Sequence, residues 1–201
     1  MAQSTYSLDF LTLPIDEAFE ARSILIGPPA DLKIRLGSMP QTLERIQSAQ
    51  MFAAQSTKEE TVWRSAAFLR AALADYSSIF EMQTADSPTT VAFKLQNTMN
   101  PLLHLLDLMR HQNIHVKTVT TMPHTVDAQW DNQEFEMKVS VISNLSVSDL
   151  AALRNGRKYA LADLVRVVDW FTMHQNIWGA GDLITLGTNI LAKDICSHFN
   201  L

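Results

Sequence analysis

One predicted helix carries most of the side chains that could do chemistry, and they offer proton transfer, phosphate binding or metal binding. At 100° per residue its three histidines fall within about 40° of one another, and its aspartate lies roughly 60° away. Leucine and methionine fill most other positions, so burying this polar strip unpaired would cost free energy. We therefore expect it to face water, a partner chain or a ligand. The segment reads PLLHLLDLMRHQNIH, and its polar strip comprises His104, Asp107, Arg110, His111 and His115.

Two interpretations of this strip do not involve acid–base catalysis by its own side chains. In the first, the histidines, above all His104, are structural residues that are paired in the core or exposed at its edge. In the second, Asp107, His111 and His115 bind a metal, because histidines at i and i+4 suit zinc. However, three ligands on one helix rarely close a tetrahedron, and the sequence has no second Glu-x-x-His pair. We therefore expect no metal.

The third interpretation is phosphodiester chemistry. The guanidinium of Arg110 is always charged and presents a planar set of donors that suits phosphate. The imidazole of His115 titrates near neutral pH, so it can accept or donate a proton. RNA supplies its own nucleophile, the 2′-hydroxyl, and an enzyme that activates it while stabilising phosphoryl charge needs no cofactor.

The hexapeptide Arg110-His111-Gln112-Asn113-Ile114-His115 resembles the signature of HEPN domains, in which an arginine and a polar residue precede a histidine at the end of a core helix. The resemblance covers about 40–115 and, more loosely, 146–200. It implies a helical bundle in which Arg110 and His115 are the catalytic pair and His111 fills the polar position. Asp107 and His104 are then supporting residues.

The same resemblance implies a function. Many HEPN domains are metal-independent endoribonucleases, and two motif helices usually meet across a homodimer to form one cleft. We therefore expect a homodimer that cleaves single-stranded RNA, in the manner of a toxin or a phage-defence effector. The resemblance identifies no antitoxin or regulatory partner. The alternative is a non-catalytic helical module for dimerisation or regulation, in which the strip is a dimer contact.

Composition and charge limit the classes of protein to which this chain can belong. Apolar residues make up 47% of the 201 residues and charged residues 18%, which is typical of a globular protein. The net charge of −5 argues against broad binding to duplex nucleic acid. The single cysteine, Cys196, excludes an internal disulfide and a cysteine-built zinc site. With no recognisable signal peptide or spanning segment, we expect a cytoplasmic protein without membrane contact.

Periodicity predicts a mainly α, HEPN-like bundle as one domain over 1–201, with a small β-hairpin insertion at 116–142. The N-terminal segment 1–38 has the weakest pattern, with a short helix expected at 16–26. Thr57 and Glu60 have the spacing of a capping box, and Asn100-Pro101 is typical of a helix start. Two final helices are expected at 159–178 and 181–199.

A small basic cluster surrounds Gly156. It comprises Arg154, Arg157 and Lys158. Its plain interpretation is a solvated helix end, and its functional one is a contact with the RNA backbone beside the catalytic cleft. Cys196 and His198 lie close in sequence but are more typical of structural residues, because neighbours two positions apart on a helix do not face each other.

Overall fold

A computed structural model describes residues 6–14, 28–115, 117–130 and 133–201. Across these ranges the protein is 68% helical, with seven α-helices and one antiparallel pair of strands, which confirms the mainly α fold with a small hairpin. The short helix predicted at 16–26 lies outside the described residues. The elements are α1 Ala30–Arg35, α2 Pro40–Lys58, α3 Val62–Asp86, α4 Pro101–His115, β1 Thr121–Trp130, β2 Gln133–Ile142, α5 Val147–Ala152, α6 Leu161–Trp178 and α7 Ala180–His198.

Helix α2 is capped by a residue distant in sequence. It begins with Pro40, and the amide N–H groups of Gln41 and Thr42 donate to the two carboxylate oxygens of Asp86 at 3.1 and 2.7 Å. Asp86 is the last residue of α3. A carboxylate at a helix N-terminus satisfies free donors and complements the helix dipole. The end of α3 therefore fixes the start of α2.

The predicted capping box at Thr57 is wrong. No proline or glycine interrupts the chain after Pro40, so α2 continues to Lys58, and the Thr57 hydroxyl donates to the carbonyl of Ala53 at 3.3 Å. Helix α3 begins at Val62 without a side-chain cap. The break falls at the paired glutamates, where charge repulsion and solvation favour an extended turn.

Close helix contacts surround α7. A Cβ on Gly181 would lie 2.5 Å from the carbonyl oxygen of Ala53 in α2. A Cβ on Gly187 would lie 2.4 Å from the Leu106 side chain in α4. Gly181 therefore permits a backbone approach that a larger residue would prevent, whereas a larger residue at Gly187 would require the Leu106 side chain to move. Gly179, at φ +86°, separates α6 from α7.

The hydrophobic core is continuous and receives residues from every described helix. Helix α4 lies at its centre, and six of its leucine and methionine side chains are buried to 1% exposure or less. Because most sides of this helix are buried, apolar side chains are favoured along it. The core includes Leu32, Ile46, Leu69, Leu102, Leu150, Leu164 and Leu183, one from each helix in order.

The hairpin follows α4 and is only partly covered. Its register pairs Met122 with Val141 and Val126 with Met137, which places the alternating apolar residues of β2 on one face. The last four residues of β2, 139–142, are buried against the helices. Towards the turn the strand is exposed, and Phe135 is 47% exposed. The distal half of the hairpin thus protrudes from the helical core.

Among the described residues, no helix combines the length and apolarity needed to cross a membrane.

Candidate functional site

The polar strip of α4 lies where that helix leaves the core. Its N-terminal half begins as predicted, with the Asn100 side chain accepting the N–H of Leu102 at 3.0 Å. Its C-terminal half carries Asp107, Arg110 and His111, which are all half-buried rather than enclosed. The leucine-rich faces hold the helix in place and leave this strip at the edge of the core. The strip is therefore a rigidly positioned polar surface.

Three side chains of the strip form a row, in which His111 contacts Arg110 on one side and Asp107 on the other. Arg110 Nη1 lies 3.4 Å from His111 Nδ1, and His111 Nε2 lies 3.5 Å from Asp107 Oδ2. The imidazole is 24% exposed and the carboxylate 15% exposed. Asp107 and His111 are separated by one helical turn, which is the spacing that brings side chains together on a helix surface.

The guanidinium of Arg110 is incompletely paired. Its Nε is buried and, among the described residues, has no hydrogen-bond partner. A buried donor without an acceptor costs free energy, and such groups are rare in folded proteins. Arg110 therefore has hydrogen-bonding capacity that the protein's own contacts leave unused.

Electrostatics around Asp107 combine burial with three nearby cations. Burial raises the pKa of the Asp107 carboxyl, while His111, Arg110 and Lys158 oppose that shift. Lys158 comes from the short helical turn Gly156–Lys158, far from α4 in sequence. The structure therefore brings one member of the predicted basic cluster to the strip.

The other two members of the basic cluster, Arg154 and Arg157, are exposed. The turn that carries the cluster is packed tightly on α5, since a Cβ on Gly156 would fall 1.8 Å from the carbonyl oxygen of Leu150. Close packing at this glycine fixes the direction in which the basic side chains leave the surface.

His104 does not share the open environment of the strip. It is 1% exposed, with Nδ1 2.7 Å from the Tyr159 hydroxyl and Nε2 3.0 Å from the Thr98 carbonyl oxygen. A carbonyl only accepts, so Nε2 donates to it and Nδ1 accepts from the tyrosine. Burial lowers the pKa of His104 and favours the neutral ring. His104 is therefore paired in the core, as its structural interpretation has it, and is not open with the rest of the strip, because the fold supplies partners.

Two tyrosines complete the surroundings of His104. The Tyr6 ring lies 4.9 Å from the His104 ring and 5.0 Å from the Tyr159 ring, between ring centres. Lys158 Nζ lies 5.6 Å from the centre of the Tyr6 ring. The sequence interpretation missed both tyrosines, because contacts between segments so far apart leave no periodic signal.

His115 is the last residue of α4, and its side chain lies outside the described part of the structure. The chain that follows is held against the helices on both sides. The Val119 N–H donates to Asn113 Oδ1 at 3.1 Å, and Arg70 donates to the Val119 carbonyl at 3.2 Å. These bonds fix Val119 against α4 and α3 before the hairpin begins.

Neither a metal-binding cluster nor a known relative identifies the chemistry of the described part of this site. Within the described side chains, which do not include that of His115, no group of three or more His, Cys, Asp or Glu is arranged to hold a metal ion. Comparison of the chain with protein-family models, with curated proteins and with solved structures finds no match.

Proposed function

We propose that this protein cleaves single-stranded RNA, with Arg110 stabilising charge on the scissile phosphate and His115 transferring a proton. The observation that carries the proposal is Arg110 itself. It is half-buried on a rigid core helix, it contacts His111, and its buried Nε has no partner within the part of the chain that the structure describes. A guanidinium fixed at the edge of the core suits a planar pair of phosphoryl oxygens.

The reaction requires no nucleophile from the protein. The 2′-hydroxyl of the substrate attacks the adjacent phosphorus, and its proton goes to a general base. The bond to the 5′-oxygen breaks, and that oxygen takes a proton to become a 5′-hydroxyl. The products are a 2′,3′-cyclic phosphate and a 5′-hydroxyl. A histidine at the position of His115 suits the proton transfers, since its ordinary pKa lies near neutrality.

A second copy of the chain completes the proposed site. One strip supplies one Arg110 and one His115, whereas base and acid act on opposite sides of the phosphorus. A homodimer related by a two-fold axis would bring two strips together. Ile114, between the strip and the hairpin, is 53% exposed and offers apolar contact for such a partner.

The basic residues near the strip support RNA binding at this surface. Lys158 lies close enough to Asp107 to affect its ionisation, and Arg154 and Arg157 are exposed on the same turn. Cations beside a catalytic cleft bind the RNA backbone without reading its sequence. We therefore place the incoming strand across Lys158 and Arg110.

The exposed Ile114 also favours a second candidate function, a non-catalytic dimerisation module in which the strip is a protein contact. The two functions differ in one product assay. Purified protein is incubated with single-stranded RNA in the presence of excess chelator, and the product ends are identified. We expect cleavage to 2′,3′-cyclic phosphate and 5′-hydroxyl ends. A dimer that leaves RNA intact, with and without added divalent metal, would instead establish the non-catalytic module.

A further inference from the structure

The three contacting side chains of the strip have a defined direction of hydrogen bonding. Arginine nitrogens only donate, so the 3.4 Å contact between Arg110 Nη1 and His111 Nδ1 requires Nδ1 to accept. In the neutral imidazole the proton then resides on Nε2. That nitrogen lies 3.5 Å from Asp107 Oδ2, a polar contact longer than an ordinary hydrogen bond. One hydrogen bond and one longer polar contact, together called the hydrogen-bond chain below, therefore connect Arg110 through His111 to Asp107.

We propose that Asp107 and His111 are positioning residues that fix the Arg110 guanidinium for a phosphate group of RNA. The inference rests on the proposed function for its purpose, but the hydrogen-bond chain can be tested without any reaction. Asp107 selects the protonated Nε2 form of His111, and that form in turn presents an acceptor to Arg110. Carboxylates orient metal-bound and catalytic imidazoles in the same way.

Fixing this arginine has a physical benefit. A free arginine side chain has many rotamers, and ordering it on phosphate costs up to about 2 kcal/mol of conformational entropy. Arg110 already has a buried Nε and a contact from Nη1, so much of that ordering accompanies folding. In the proposed complex, its remaining Nη donors bind the phosphoryl oxygens. Preorganisation of this kind increases affinity without adding contacts.

The charged and titratable groups around the chain come from two other parts of the fold. Lys158 acts on Asp107 from the turn after α5. Asp107 in turn raises the pKa of Tyr76 in α3 and of Tyr159 beside the same turn, in both cases as a smaller effect than burial. Tyrosines are neutral at physiological pH, so Lys158 and Arg110 are the cations that balance the carboxylate charge while His111 is neutral.

Protonation of His111 reverses its role. With a proton on both ring nitrogens, Nδ1 no longer accepts from Arg110, and two cations face each other. The imidazolium still pairs with Asp107. Acidification is therefore expected to release Arg110 from its fixed orientation while keeping the contact between Asp107 and His111.

The first test is nuclear magnetic resonance of histidine ring nitrogens in the purified full chain, over a pH titration. Wild-type His111 should show the Nε2-protonated form when neutral. Arg110→Met removes the donor and should raise the His111 pKa, whereas Asp107→Asn removes the anion and should lower it, each by on the order of one pH unit. Asp127→Asn, on the exposed hairpin, is the matched control and should leave the His111 pKa unchanged.

The second test measures binding of a non-cleavable, 2′-deoxy single-stranded oligonucleotide. Glutamine at 111 can accept from Arg110 and donate to Asp107 without titrating, whereas phenylalanine can do neither. His111→Phe should weaken binding on the order of tenfold, and His111→Gln should retain more of the affinity and lose the acid-induced decrease. In the Arg110→Met background, His111→Phe should add little further loss, since both changes remove one interaction.

Three results would decide against these assignments. Opposite or absent pKa shifts in both variants would overturn the hydrogen-bond chain. Equal affinities for His111→Gln and His111→Phe, or additive losses with Arg110→Met, would overturn the positioning role. The expected pKa shifts in a chain that neither binds nor cleaves RNA would overturn the proposed function while the hydrogen-bond chain stands.

Discussion

Gln175 binds both backbone groups of Ile142: its side-chain oxygen accepts the N–H at 2.8 Å and its side-chain nitrogen donates to the carbonyl at 3.2 Å. The amide of a helix residue thus replaces a neighbouring strand at the end of β2. This pair of bonds joins the hairpin to α6. It also leaves no buried backbone group of Ile142 without a partner, which is the normal requirement for a strand edge inside a protein.

Replacing Gln175 by leucine should therefore destabilise the protein through the hairpin. Both Ile142 groups would stay buried without partners, at a cost of about 1–3 kcal/mol for each unsatisfied group. Urea unfolding measures the free-energy change. The same substitution at Gln55, which is exposed on α2, should change stability by less than about 0.5 kcal/mol. Equal effects at the two positions would mean that the amide pair does not hold the hairpin.

The proposed chemistry predicts separate losses for its two principal residues. His115→Ala should lower the RNA cleavage rate by on the order of 10² to 10⁴, because a proton-transfer group is removed. Arg110→Ala should lower it by roughly 10² to 10³, through loss of charge stabilisation on the phosphate. Single-turnover cleavage with chelator present measures both rates.

A matched arginine controls for general loss of positive charge. Arg64 is an exposed residue of α3 whose nearest carboxylate, on Glu59, lies 3.9 Å away. Arg64→Ala should leave the cleavage rate within about twofold, since exposed pairs of this kind contribute little. Cleavage that survives Arg110→Ala and His115→Ala unchanged would assign the activity to another site or to a contaminant.

Gly156 offers a test of the turn that carries Lys158. A Cβ at this position would meet the Leu150 carbonyl oxygen at 1.8 Å, and that backbone atom belongs to α5. Gly156→Ala should cost about 1–3 kcal/mol or more, because the turn must move away from α5. Gly37→Ala is the matched control, since a Cβ on Gly37 would meet no other described atom within 4 Å. Thermal unfolding of the two variants distinguishes close packing from a general effect of removing glycine.

Buried His104 predicts a defined dependence of stability on pH. Burial holds its folded pKa below the ordinary value of 6.5, so the unfolded chain binds the proton more readily. The contribution of neutral, buried His104 to the free energy of unfolding is complete above about pH 6.5, and it is lost as the pH falls through the folded pKa. At neutral pH, His104→Gln should cost on the order of 1–3 kcal/mol, because the Tyr159 hydroxyl and the Thr98 carbonyl lose their partner.

Comparison of wild type with His104→Gln isolates the contribution of His104 to the pH dependence of stability. The pKa values of Asp107 and Asp194 are raised by burial, and each carboxyl gives the opposite trend, with stability falling as the pH rises through its folded pKa. Those contributions are shared by wild type and His104→Gln, so the difference between their unfolding free energies reports His104. That difference should shrink between pH 7.5 and pH 5.5. A constant difference would contradict the prediction.

Local signals in the sequence predicted much of the fold. Asn100 followed by Pro101 marked the start of α4, and strict alternation from Phe135 to Val141 marked β2. Both signals arise from interactions within a few residues of the chain. The capping box at Thr57 failed because the same residue types are also compatible with the interior of a continuing helix.

Long-range pairing accounts for what the sequence could not predict about the site. The strip itself follows from helical periodicity, and Asp107, Arg110 and His111 do lie together at the edge of the core. The burial of His104 depends on Tyr159, which is 55 positions away, and no periodic pattern connects them. Whether a histidine is open or enclosed is decided by such distant partners.

The tetrapeptide His-Gln-Asn-Ile occurs at 111–114 and at 174–177, and the sequences around the two copies show no further repeat. In the structure, both glutamines bond to the end of the hairpin: Gln112 donates to the Asn144 carbonyl at 3.5 Å, and Gln175 binds Ile142. The two short segments therefore hold neighbouring parts of one strand end from two different helices.

The carboxylate cap of Asp86 on α2 has a consequence for fluctuations of the native state. The first turn of α2 retains its amide bonds only while the last turn of α3 is formed, although 44 residues separate Thr42 from Asp86. Opening of either turn therefore exposes the other to solvent. Amide hydrogen exchange at Gln41 and Thr42 should report the fraying of a helix end that is distant in sequence.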